Sequence, residues 1–203
     1  MSYTATARQA ELETPPHPAM RPGMMGMFIF LASEVMFFGS LFAMYFYMYG
    51  SHLNWPPSGT RAVEVFPLPT INTVVLITSG VTMHISHTAI QRGNRRRYMI
   101  WLLVTIILGA AFECGQALEF TTANFNLTSN QFSSAFFTMT GFHGLHVFGG
   151  LVFLCLVLFR SVRGQFNQEH HVGVAACAIY WHFVDLVWVF LFTILYIGIA
   201  FVS

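Results

Sequence analysis

The stretch GFHGLHVFGG, Gly141–Gly150, decides how this chain folds. It lies inside an apolar run from Phe136 to Phe159. At a rise of about 1.5 Å per residue, such a run is long enough for a helix that crosses a membrane. His143 and His146 are three residues apart, which places them on one helical face, and Gly150 follows a turn later. Gly141 and Gly144 share the same spacing and leave room for a neighbouring helix to come close. Two imidazoles on one face of a buried helix fit a haem or copper site. They fit equally a hydrogen-bonded polar seam between packed helices, and the spacing leaves both open.

Composition fixes the solvent. Of the 203 residues, 55% are hydrophobic and 8% are charged, and the mean hydropathy is +0.60. Soluble domains carry roughly 25% charged residues, so this chain cannot cover a surface facing water. It reads as an all-α integral membrane protein. The nine basic residues are all arginine and the formal net charge is +1. No basic aromatic groove of the kind that holds nucleic acid is evident. The first 22 residues are polar and proline-rich, with Glu11 and Glu13 and no apolar core, unlike a secretory signal; they are expected to form a mobile tail. Cys114, Cys155 and Cys177 stand far apart inside apolar runs and are expected to be buried free thiols.

Five stretches are long and apolar enough to span: 23–49, 68–89, 97–120, 136–159 and 172–202. Pro22 stands just before the first, and Pro67 and Pro69 open the second, where a missing amide hydrogen costs little. The links are short: the proline-rich turn Asn54–Gly59 with an interfacial Trp55, the basic turn Gln91–Arg97, the polar Thr121–Gln131, and Arg160–His171. No internal repeat is evident, so residues 23–203 form one five-helix bundle. With the N-terminus inside, Arg8, Arg21, Arg92, Arg95, Arg96, Arg97, Arg160 and Arg163 fall on the inner side, against Arg61 outside. The positive-inside rule therefore puts the N-terminus in the cytoplasm and the C-terminus outside.

Polar residues at membrane depth each need a partner or a task, since a charge at the bilayer centre costs about 2.5–3.5 kcal/mol. Glu34, in SEVMFF, lies near mid-depth with no basic residue in helical reach. Such a carboxyl is expected to hold its proton wholly or in part, either as a proton-exchanging group or as a neutral group bonded to a neighbouring helix. Glu113, Gln116 and Glu119 form a polar stripe along the third span, which reads as interhelical hydrogen bonding. His84 and His87 lie near the inner end of the second span. In the last span, YWHFVDLVW at Tyr180–Trp188, His182 and Asp185 can bond to each other or across to His143 or His146. One reading is a carboxylate that orients a metal-binding histidine; the other is a closed network that satisfies itself. Trp181 and Trp188 read as packing. A di-iron bundle needs Glu-x-x-His pairs, and the sequence has none. A bis-histidine haem on His143 and His182 stays open at this point.

Seven motifs in order then carry a resemblance: SEVMFF at Ser33–Phe38, NWPP at Asn54–Pro57, SGV at Ser79–Val81, QALEF at Gln116–Phe120, GFHGLHV at Gly141–Val147, His170–His171, and YWHFVDLVW. From about Arg21 onward the chain resembles subunit III of the haem-copper terminal oxidases, the cytochrome c oxidase type in particular. That family commonly has seven spans. Five here resemble a short bacterial form without the first two, which places the chain in a bacterial cytoplasmic membrane. The resemblance implies a chain with no redox centre and no metal, with haem and copper held by partner subunits. His143, His146, His182, Asp185, Glu113, Gln116 and Glu119 then form a structural polar network.

It also implies direct contact with subunit I, with subunits II and IV as neighbours. Cytochrome c is the implied electron donor, and the roles are support of proton uptake, of stability and of lipid or oxygen access during reduction of oxygen to water. By the same resemblance Glu34 is the intramembrane carboxyl that reacts with carbodiimide, Arg160 contacts a phospholipid head group, and bound phospholipid is expected. The alternatives are subunit III of a ubiquinol oxidase, or a separate membrane haem or metal protein using the histidine pair.

Overall fold

The structure is a computed structural model and describes residues 22–53, 55–57, 67–123, 125–168 and 171–198. The tail, Arg61, Asn54, His170 and the last residues of the fifth span lie outside the described residues. Five helices follow in order: α1 Pro22–Ser51, α2 Leu68–Gln91, α3 Arg95–Thr122, α4 Gln131–Val162 and α5 Val172–Phe192. A π-helical turn, Thr193–Ile197, continues α5. All five are long and apolar enough to cross a membrane.

The helices outrun the apolar stretches because polar caps lengthen them. Asn130 Oδ1 accepts from the Ser133 amide at 2.8 Å, so α4 begins five residues before Phe136. Asn94 does the same for α3, accepting from the Arg97 amide at 3.0 Å. The α2–α3 turn is closed by Gly93 at φ +73, a left-handed conformation that suits glycine, with the Asn94 amide donating to the Ala89 carbonyl at 3.0 Å.

Helices α2, α3, α4 and α5 form a ring in which each packs on the next and α5 returns to α2. Helix α1 lies outside that ring, against α5 and α4. The core is aromatic: Trp181, Trp188, Tyr98, Tyr196, Phe112, Phe132 and Phe136 are fully buried. Trp181 is the central wedge. A Cβ at Gly109 would stand 2.7 Å from its ring and one at Gly150 2.8 Å, so two glycines make the slot that holds the indole. Close approach thus belongs to Gly150 and Gly109. Gly141 faces open space, and Gly144 faces the Glu113 carboxyl. The indole N–H groups do not go unpaired: Trp181 donates to Ser79 Oγ and Trp188 to Thr73 Oγ1, both at 3.0 Å.

Helices α2 and α3 are joined by hydroxyl hydrogen bonds and a close packing contact. Thr82 and Thr105 hydroxyls bond at 2.8 Å, Ser86 donates to the Tyr98 carbonyl at 3.0 Å, and the Asn72 amide rests on Gly115. At the arginine-rich end, Tyr98 and Ser161 hydroxyls bond at 2.6 Å, and Arg95 donates to the Ser161 carbonyl at 2.6 Å, tying α3 to the end of α4. The cysteines correct the expectation of burial. Cys177 is buried, whereas Cys114 and Cys155 are exposed on the outside of the bundle. In a bilayer the outside is as apolar as the core, so an apolar neighbourhood in sequence does not imply an interior position.

Candidate functional site

A three-residue step on a helix turns the side chain by about 60° short of a full circle, and here that offset separates the two central histidines. His143 points into the ring, fully buried between Phe112 and Trp188, with ring centroids 5.9 and 4.9 Å away. Neither of its ring nitrogens meets a hydrogen-bond partner among the described residues. His146 points toward α1, and there it meets Glu34.

The Glu34 Oε2 to His146 Nε2 distance is 2.8 Å, with the two side chains 16% and 17% exposed. The other ring nitrogen, Nδ1, lies 2.7 Å from the Phe142 carbonyl oxygen. A carbonyl can only accept, so Nδ1 carries a hydrogen. Nε2 then accepts from a protonated Glu34 carboxyl, or as part of an imidazolium donates to a carboxylate. In both arrangements one proton lies between Glu34 and His146, held near the middle of α1 and α4.

The pair forms one wall of an open groove of about 560 Å³ between α1, α4 and α5, lined also by Phe30, Phe37, Phe142 and Tyr180. The Tyr180 hydroxyl donates to the His146 carbonyl at 3.0 Å, which fixes α5 against α4 at this depth. The Phe37 ring stacks on the imidazole at 6.0 Å. Aromatic walls around one polar pair leave hydrocarbon as the surface that meets the carboxyl, so the pair can hold or pass a proton while facing an apolar guest.

The remaining expected site residues do not join this pair. Glu119, buried toward the other end, accepts from the Tyr196 hydroxyl at 2.7 Å, with Gln116 buried a turn away. Glu113 leans over Gly144, and its Oε2 is buried without a partner among the described residues. His182 Nδ1 and Asp185 Oδ2 stand 4.0 Å apart on the α2–α5 face, remote from His143 and His146. Among the described residues, no three of His, Cys, Asp and Glu gather as ligands for a metal ion. Arg160 donates through Nε to Gln165 Oε1 at 2.7 Å, with its guanidinium over the Phe166 ring at 5.0 Å.

Sequence reasoning missed Tyr180 and Phe37 as parts of the site, and missed that Glu34 and His146 are partners across 112 positions. The usable signal was depth: both lie near the middle of their spans, and each needed a polar neighbour.

An all-α bundle of five spans, with a carboxyl–imidazole pair at mid-depth, defines a multi-pass membrane protein that works within the bilayer. The family model for Cytochrome c oxidase subunit III matches residues 6–199, and the chain belongs to that family. It is 46% identical over 182 residues to cytochrome c oxidase subunit 3 of Thermostichus vulcanus, covering 89% of each chain. The identity to the protein of that name from Scyliorhinus canicula is 42% over 188 residues, covering 88% of this chain and 71% of the relative. For Prototheca wickerhamii it is 40% over 179 residues, covering 84% and 67%. Family membership places the chain in an oxidase complex with other subunits.

Proposed function

We propose that this chain is the supporting subunit III of an aerobic terminal oxidase that takes electrons from cytochrome c and reduces oxygen to water. It sits in a bacterial cytoplasmic membrane with its N-terminus inside, and packs directly on subunit I with subunits II and IV nearby. Haem and copper belong to those partners, and this chain contributes stability, proton uptake and lipid or oxygen access. The observation that carries the reading is the Glu34–His146 pair, 2.8 Å apart on the wall of an aromatic groove. A shared proton at that depth lets a carboxyl face lipid chains without bearing an isolated charge. Arg160 supports the lipid part. Its Nε is bound to Gln165, while the rest of its fork lies at the arginine-rich end of α4, where a phosphate head group would sit. His143, Glu113, Gln116, Glu119, His182 and Asp185 serve structure and assembly.

The test is a pull-down through a tag on this chain in mild detergent, read by haem spectrum, copper content and oxygen uptake with cytochrome c. Haem and activity are expected to co-purify and to stay with the larger subunits when this chain is stripped off. Haem retained by the isolated chain would overturn the reading. Glu34→Gln is expected to leave the complex assembled, because the amide can donate to His146 Nε2 in place of the carboxyl, and to abolish carbodiimide labelling of this chain. Loss of assembly in Glu34→Gln would mean that the pair is an ion pair the fold depends on.

A further inference from the structure

A groove of about 450 Å³ runs between α2 and α5. Gly80 sits near the middle of α2, and Asp185 lies near the middle of α5 with its carboxyl pressed against Gly80, where any side chain would displace it. Asp185 Oδ1 is buried and has no hydrogen-bond partner among the described residues. Its neighbour His182 is too far for a hydrogen bond at 4.0 Å and is 43% exposed. His84, on α2, lines the same groove and is also exposed, its ring 6.5 Å from that of His182. Two ionisable side chains, His84 and His182, therefore face outward, with the 13% exposed Asp185 lining the groove beside them.

The outward face of α4 is built differently. There Val152, Leu156 and Phe159 are exposed and apolar, as contact with lipid requires. Lipid chains offer nothing to an acceptor such as Asp185, and head groups lie too far from the middle of the bilayer to reach it. A helix that carries a hydroxyl, amide or indole N–H satisfies it. Ile77, Val81, Leu186 and Val189 border the polar strip as exposed apolar ridges, which gives such a helix a packing surface on both sides.

We infer that the α2–α5 groove is the seat of a membrane-spanning helix from another subunit of the oxidase, one that turns a hydrogen-bond donor toward Asp185. The inference rests on the proposed role as an oxidase subunit and adds the face through which that role is exercised. His84 and His182 lie beside the same helix and, as donors or acceptors, fix its register.

The experiment uses the whole complex. A photo-crosslinking phenylalanine analogue is placed at Val81, and separately at Val152 as a control, with irradiation in native membranes before purification. Position 81 is expected to crosslink to a peptide of a different oxidase subunit, and position 152 to lipid. Crosslinks from position 81 to lipid alone, or to a second copy of this chain, would overturn the inference. A second measurement is haem per tagged chain after purification. Val81→Trp, which fills the groove without touching the ring core, is expected to lower it roughly tenfold, while Val152→Trp leaves it unchanged. Equal retention in both variants would also overturn it. The unaltered chain separates the two readings. If it carries no haem through purification, the oxidase role fails. If it does and Val81→Trp behaves the same, the docking face alone fails.

Discussion

Helices α1 and α2 have the same covering of apolar residues to the eye, yet they live in opposite places. In its most apolar stretch α1 is 6% buried, whereas α2, the less apolar of the two, is 44% buried. In water that order would be perverse. In a bilayer, lipid is as apolar as leucine, so hydropathy drives insertion and packing is decided by small and polar residues. Helix α2 is rich in them: Thr73, Ser79, Gly80, Thr82 and Ser86 all face the interior, and four of them exchange hydrogen bonds with α3 or α5. Helix α1 spends its surface on Phe28, Ile29, Met36 and Tyr47, all exposed, and reaches the ring chiefly through Phe38, Tyr45 and the Glu34–His146 bond.

If that contrast is right, damage inside the ring costs far more than damage to α1. Trp181→Ala empties the slot between Gly109 and Gly150 and is expected to destabilise by about 3–5 kcal/mol, read by reversible unfolding in mixed micelles. A cost under about 1 kcal/mol would show that the ring does not depend on its wedge. Gly150→Leu forces a side chain into the indole and should cost about 1–3 kcal/mol; combined with Trp181→Ala, part of that cost is expected to vanish, since the two changes share one space. His146→Leu removes the polar tie between α1 and α4, and is expected to cost about 0.6–1.7 kcal/mol, the range of interhelical hydrogen bonds in membranes. Faster proteolysis of the links flanking α1, with the ring unaffected, would be its signature. Met36→Ala, on the most exposed part of α1, should change stability by less than about 0.5 kcal/mol. A larger loss there would mean that α1 is covered by protein on both sides.

The five spans were legible because each is a long apolar run, and the seven motifs made the family legible. The helix ends were not, since Asn130 and Asn94 add polar turns that hydropathy does not register. Nor was the fate of the histidine pair. His143 and His146 share a face by spacing, but the 60° between them is enough to send one into the aromatic core and the other to Glu34. The partner of Glu34 lies 112 residues away, beyond any local pattern, and only the packing of α1 on α4 brings them together. The exposure of Cys114 and Cys155 was hidden for a related reason, since nothing in an apolar segment tells lipid from protein.

The turn at Gly93 bears on how the chain enters the membrane. It joins α2 to α3 through three residues, and the two helices pair Thr82 with Thr105, Ser86 with Tyr98 and Asn72 with Gly115 along their shared length. Each helix alone would present those groups to hydrocarbon. Leaving the ribosome back to back as a hairpin, they bury those groups against each other before α4 is synthesised, while Thr73, Ser79, Glu113 and Glu119 wait for α4 and α5. Biogenesis thus has a natural first unit in the α2–α3 pair, onto which the later spans assemble.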